Sequence, residues 1–265
     1  MSPRPLTARA VMASLVFASL GGGAQATDLA AHRAVYDLKL DTAHEAKVSA
    51  ATGSMTYEMQ DTCDGWATQQ RLDMVITNTE GQDIHMLSDY TTYESKDGLK
   101  LRFRMRQTTD DAVTSDLAGD ATLQPDGGTG SAHFTMPADA TKTLPKGTLF
   151  PTRHTETLLR AAEAGKKFLA LPLFDGTTEK GAQDSSIVVN GWNGPDQTKW
   201  PDLAKLPSGR FHIAFFDHAD SASTPDYEVS MRYWDNGVAD NLAMNFGDFV
   251  MDGKIREFKL MPHGC

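Results

Sequence analysis

Cysteine is almost absent from this 265-residue chain: Cys63 and Cys265 are the only two, and no C-x-x-C pair occurs. Without that spacing the chain lacks the device that lowers an attacking thiol's pKa, which argues against a thiol–disulfide redox enzyme. Positive charge is also scarce. With 25 Lys and Arg against 35 Asp and Glu, the formal net charge is −10 and the pI about 5.2. A general nucleic-acid binder takes its affinity from a surplus of cations facing phosphates, so that class is excluded. Beyond residue 26 no apolar stretch reaches the roughly 20 residues a membrane-spanning helix needs. What is present is ordinary: 40% hydrophobic residues, 12 Phe, 4 Trp and a mean hydropathy of −0.39. That composition fills a core and rules out a disordered acidic tail or a collagenous chain.

The opening residues read as an address. Arg4 and Arg9 form a positive start, residues 10–20 are apolar apart from Ser14 and Ser19, and Ala24-Gln25-Ala26 fits the small-x-small cleavage pattern. The apolar run is too short to span a bilayer, so a signal peptide over 1–26 is predicted, with 27–265 as a single exported domain in the periplasm. In an oxidising compartment the two cysteines, 202 positions apart, predict one bridge. Two free thiols are the alternative.

The remainder reads as strands. Leu99, Leu101, Phe103 and Met105 share one face of an alternating run and Lys100, Arg102, Arg104 and Arg106 the other. Similar period-2 runs include Tyr36/Leu38/Leu40, Leu72/Met74/Ile76, Phe211/Ile213/Phe215 and Leu242/Met244/Phe246. Between such runs stand Asp64-Gly65, Asp97-Gly98, Asp126-Gly127, Asp175-Gly176, Asn190-Gly191, Asn236-Gly237 and Asp252-Gly253, dipeptides that tolerate the positive φ of tight hairpin turns. Alternation on one side only argues against a buried parallel sheet. The fold class is therefore mainly β: an antiparallel meander, with a single helix over about 153–164 covering the face or mouth of a curved sheet.

A search for chemistry finds no reaction. His212 with Asp217, His218 and Asp220 supplies metal-ligand residue types at a spacing that matches no established site. His44-Glu45 is followed by Val48 where a second histidine belongs, G-x-S-x-G is absent, and Gly128-Thr129-Gly130 leads to His133 where a third glycine belongs. No catalytic residue, metal or cofactor is assigned. Paired carboxylates cannot be judged from spacing, so a peptidoglycan hydrolase or metal-dependent periplasmic enzyme is the alternative. The stripe Lys100, Arg102, Arg104 and Arg106 is a candidate face for an anionic partner such as an envelope lipid or glycopolymer, against a strand face neutralised by neighbouring acids. His154 opens the helix, where free N–H groups make a candidate anion site. Met and Phe on inner strand faces, with a helix as plug, suggest a lipid-like ligand against an ordinary packed core.

Ordered blocks along the mature chain carry a resemblance: Ala31-His32-Arg33-Ala34-Val35-Tyr36-Asp37-Leu38, Cys63-Asp64-Gly65-Trp66, Phe150-Pro151-Thr152-Arg153-His154-Thr155, Pro172-Leu173-Phe174-Asp175-Gly176, Arg232-Tyr233-Trp234-Asp235-Asn236-Gly237-Val238-Ala239, Phe246-Gly247-Asp248-Phe249 and the terminal Cys265. Together they resemble the EipB-type cell-envelope integrity proteins of Gram-negative bacteria. The resemblance implies a soluble periplasmic monomer whose curved antiparallel sheet forms a broken spiral or half-barrel, with a disulfide falling on Cys63 and Cys265. It also implies a part in envelope maintenance, a periplasmic tetratricopeptide-repeat partner, a shape like that of lipoprotein carriers, and no established enzymatic activity.

Overall fold

The structure is a computed structural model that describes residues 29–44, 47–218 and 224–264. The predicted signal peptide, Asp220 and Cys265 lie outside the described residues. Fourteen strands and one helix follow in order: β1 (His32–Ala43), β2 (Val48–Asp61), β3 (Gly65–Asn78), β4 (Asp83–Ser95), β5 (Lys100–Thr109), β6 (Ala112–Leu123), β7 (Gly130–Met136), β8 (Ala140–Leu144), α1 (Pro151–Glu163), β9 (Phe168–Leu173), β10 (Gln183–Asn193), β11 (Ser208–Asp217), β12 (Tyr227–Trp234), β13 (Ala239–Asn245) and β14 (Phe249–Leu260). All strands belong to one antiparallel sheet in the order β8-β7-β6-β5-β4-β3-β2-β1-β14-β13-β12-β11-β10-β9. Each strand pairs with its sequence neighbour except at one seam, where β1 meets β14, His32 opposite Leu260 and Leu38 opposite Gly253. The sheet curls without closing, and β8 and β9 are its two ends.

Alternation places the faces as expected. Leu101 and Phe103 of β5 are buried while Lys100 and Arg102 are exposed, and Tyr36 and Leu38, Phe211 and Ile213, and Leu242 and Met244 all point inward. Two of the expected turns are something else. Asp252-Gly253 lies inside β14, where a Cβ on Gly253 would sit 3.0 Å from Leu38 Cδ2 and 3.1 Å from Leu242 Cβ. That glycine answers crowding across the sheet rather than a bend. Asn190-Gly191 is a bulge within β10, Gly191 at φ 84°. The β5–β6 turn instead uses Asp110 and Asp111, both at positive φ without a glycine.

Helix α1 begins at Pro151, whose missing N–H is harmless in the first turn. It ends two residues before Gly165 at φ 75°, with Gly165 N–H donating to the Ala162 carbonyl and Lys166 N–H to that of Ala161. Its inner face buries Leu158, Leu159 and Ala162 in the main core with Ile187 and Val189 of β10 and Phe211 and Ile213 of β11. Each buried leucine contributes about 1.5–3 kcal/mol relative to exposure. The helix thus fills the curve of the sheet. A second core lies between the sheet's ends: Phe103, Phe134, Phe150 and Phe174 pack edge to face, with Phe103–Phe174 centroids 5.5 Å apart. Leu149, in the link after β8, forms a parallel bridge to Leu173 of β9.

Candidate functional site

The helix mouth is occupied by the protein itself. Phe150 stands at the N-cap and has no side-chain acceptor to offer the first free N–H groups. Glu94 of β4 supplies it from across the chain: its carboxylate accepts from Thr152 N–H at 2.7 Å and Arg153 N–H at 2.9 Å. Only 2% of Glu94 is exposed. Burial pushes its pKa up to about 7, against the downward pull of the two backbone donors, and Glu156 adds to the rise. Sequence reasoning missed this residue because a lone acid on a strand's inner face is invisible to alternation. The available signal was the helix itself, which starts without a Ser, Thr, Asp or Asn cap.

His154 therefore faces no free anion site. It is buried, with Nε2 2.8 Å from Ser185 Oγ. The Ser185 hydroxyl spends its one proton on the Leu171 carbonyl at 2.7 Å, so His154 donates through Nε2–H. That polarity is opposite to a Ser–His pair in which histidine takes the serine's proton. Burial also pulls the imidazole pKa down to about 4 and keeps the ring neutral. The pair ties helix α1 to β10 and β9.

The cationic strand face lies outside the curve, where neighbouring strands answer it. Arg104 and Arg106 both pair with Asp116 of β6, the latter at 3.2 Å. Arg102 stands opposite Asp120 in the register and Lys100 opposite Thr122. Farther along, Arg71 of β3 makes two bonds to Asp89 of β4, at 2.8 and 2.9 Å. The face is thus a lattice of alternating charge; the Arg71–Asp89 pair is exposed and worth about 0–1 kcal/mol, while the Asp116 side chain between Arg104 and Arg106 is only 17% exposed.

The residues around His212 do not converge. His212 Nδ1 lies 2.8 Å from Ser230 Oγ and Nε2 3.2 Å from Glu228 Oε1, whereas His218 pairs with Asp184 at 2.9 Å and Asp217 with Lys180 at 2.6 Å. Among the described residues no three His, Cys, Asp or Glu side chains are grouped as metal ligands, and no helix is long and apolar enough to cross a membrane.

Two features stand open among the described residues. The first is the edge of β9. Its Pro172 carbonyl accepts from Leu149 N–H at 2.9 Å, and Phe174 N–H donates to the Leu149 carbonyl at 3.0 Å, so these groups face away from β10. Strand periodicity turns the N–H and C=O groups of Phe168 and Ala170 to the same open side. Phe168 is 75% exposed, far more than any other large apolar residue described. The second is a polar cleft of about 450 Å³ at the β10–β11 loop, lined by Asn193, Asp196, Ser208, Arg210 and Arg232.

A family model described as EipB-like matches residues 23–262. The chain belongs to the EipB-like family. It is 34% identical over 259 residues to the cell envelope integrity protein EipB of Brucella abortus (strain 2308), covering 94% of this chain and 90% of that relative. It also superposes with a TM-score of 0.80 on the crystal structure of a β-barrel-like protein of a domain of unknown function from Brucella abortus, at 32% identity over 89% of this chain and 99% of that one. The EipB-like blocks now have places in the fold. Phe150 to Thr155 builds the helix mouth on Glu94, and Pro172 to Gly176 builds the aromatic join between the sheet's ends, where Tyr90 Oη donates to the Asp175 carbonyl at 2.5 Å. Cys63 occupies the β2–β3 turn at φ 70°. In this EipB-like chain the polar groups around Glu94, His154 and His212 are bonded to one another and to the backbone.

Proposed function

We propose that this EipB-like protein is exported to the periplasm and supports cell-envelope integrity by binding, without catalysis. Its relative's name motivates the envelope role, and the leader-like opening residues motivate the compartment. A Cys63–Cys265 disulfide is part of this reading. It is supported by Cys63 not being a free thiol and by the chain's last described residues lying beside the β2–β3 turn: a Cβ on Gly264 would overlap the Asp61 carbonyl, and His263 Nδ1 is 3.5 Å from Asp61 Oδ2.

The observation that carries the binding reading is the β9 edge. The opposite edge, β8, is blunted in the usual way by exposed Thr141, Lys142 and Thr143 and by Pro145 just beyond. β9 keeps Phe168 outward beside unpaired backbone, and Leu149 already bonds to one end of it. The occupant that satisfies both features is an extended segment of a periplasmic protein, which would continue the ladder past Leu149 and lay an apolar side chain on Phe168. A lipid in the curve would have to displace Leu158, Leu159 and Ala162 of α1, so the protein partner is preferred.

Complementation tests this. In a strain lacking the protein and sensitised to detergent, wild type should restore resistance, whereas Phe168→Asp, present at equal level and with an unchanged Tm, should not. Full rescue by Phe168→Asp would remove the edge from the mechanism. A lipid mass retained in native mass spectrometry of the periplasmic protein would move the reading to lipid carriage.

A further inference from the structure

The β11–β12 register sets Arg210 directly opposite Arg232 on the outer face of the sheet. Like charges in register repel, and such a pair persists where something anionic answers it. Among the described residues one carboxylate forms an ion pair with it: Asp196, itself 60% exposed on the long β10–β11 loop, reaches Arg232 at 3.0 Å, while Asp240 stands opposite Arg232 in the β12–β13 register. Arg210 makes no ion pair among the described residues.

Arg232 is held still. Its Nε and Nη2 donate to Ser208 Oγ at 2.9 and 2.8 Å, and its guanidinium carbon lies 4.0 Å from the centroid of the Trp234 ring. Its side chain is only 14% exposed. Arg232, so held, and Arg210 thus both line the cleft, together with Asn193, Asp196 and Ser208. Arg210 offers an uncommitted planar fork and Arg232, whose Nε and Nη2 protons go to Ser208 and Asp196, offers Nη1; these donors suit the oxygens of a phosphate or carboxylate. A volume of about 450 Å³ admits more than the anionic group alone, and Asn193, Asp196 and Ser208 in the lining suit hydroxyls.

We propose that this cleft is a binding site for a sugar-sized polar ligand bearing one phosphate or carboxylate group, gripped between Arg210 and Arg232. The protein as a whole is acidic, so long-range attraction does not bring the ligand in; recognition rests on the local pair. The site is separate from the β9 edge and stands whether or not that edge takes a partner.

Calorimetric titration of the mature chain tests it, with glucose 6-phosphate, glucuronate, glucose and vesicles of phosphatidylglycerol as probes. Saturable binding of glucose 6-phosphate or glucuronate, with glucose inert, is expected, and the one that binds identifies the anionic group. Arg210→Gln, on an exposed side chain whose loss leaves the fold intact, should weaken that binding at least about tenfold. Asp196→Asn, which removes the competing carboxylate, should tighten it. Vesicle binding lost in Arg210→Gln would place the phosphate on a lipid, and binding of the soluble probe alone would place it on a free or polymeric sugar. Equal affinity in wild type and Arg210→Gln, glucose binding as well as the anions, or no saturation below about 10 mM would overturn the proposal.

Discussion

Replacing Cys63 with serine is expected to lower the unfolding free energy of the mature protein by up to about 5 kcal/mol, the chain-entropy value for a closed loop of this length. The surroundings hold the turn that carries Cys63, although the residue itself takes left-handed backbone at φ 70°. Cys63 N–H donates to Asp61 Oδ1 at 2.9 Å, Lys96 pairs with the same carboxyl at 2.9 Å, and the Lys96 ammonium sits 3.3 Å over the Trp66 ring. The hydrogen bond from Lys96 is the main reason the Asp61 carboxyl lies below the usual carboxylate range. The turn is thus braced before any sulfur bond forms. Urea unfolding with and without dithiothreitol reads the effect: reduced wild type should match Cys63→Ser, and oxidised wild type should exceed both. Three coincident curves would mean that the sulfurs are unlinked.

Glu94→Ala is expected to cost about 2–4 kcal/mol, because it strands two helix N–H groups in the interior, each worth about 1–3 kcal/mol when unpaired. The pH dependence carries a sharper signature. The ordinary Glu94 value is 4.5 and burial raises it to about 7, so across that window the native state holds more protons than the unfolded chain. Stability from this group is therefore full below about pH 4.5 and falls as pH rises to about 7, by a total on the order of 3 kcal/mol. Glu94→Gln cannot ionise and should lack this component. The difference between wild-type and Glu94→Gln stabilities, measured by urea at pH 5, 6, 7 and 8, should change steadily up to about pH 7 and then level off. A difference that stays flat would show that the carboxyl is not the titrating cap.

Much of the sheet was legible because burial on one side leaves a period-2 mark: the β5 run Leu101/Phe103 against Lys100/Arg102 shows it plainly. The helix was legible from Pro151 and Gly165, although its capping partner was not, since Glu94 lies 58 residues away from Thr152. Dipeptide chemistry misled at Gly253, where crowding by Leu38 and Leu242 demands a missing side chain in mid-strand. The stripe on β5 stood out by spacing, yet charge is a property of neighbours, and Asp116 on the next strand answers it. Arg210 and Arg232 carried no local signal at all, because only the hairpin register brings them face to face. The seam between β1 and β14 was invisible for the same reason: only the pairing of the chain's first and last strands brings residue 32 to residue 260.

That seam has a consequence for proteolysis. The link between β8 and α1 exposes Lys146, followed by Gly147 at φ 83° with open space around it. A trypsin cut there would divide the polypeptide into a half carrying β1 to β8 and a half carrying α1 and β9 to β14, with every ladder intact inside its own half except β1–β14. Cys63 falls in the first half and Cys265 in the second, so the bridge proposed above predicts a nicked molecule that runs as one species on a denaturing gel until a reductant is added, and as two afterwards.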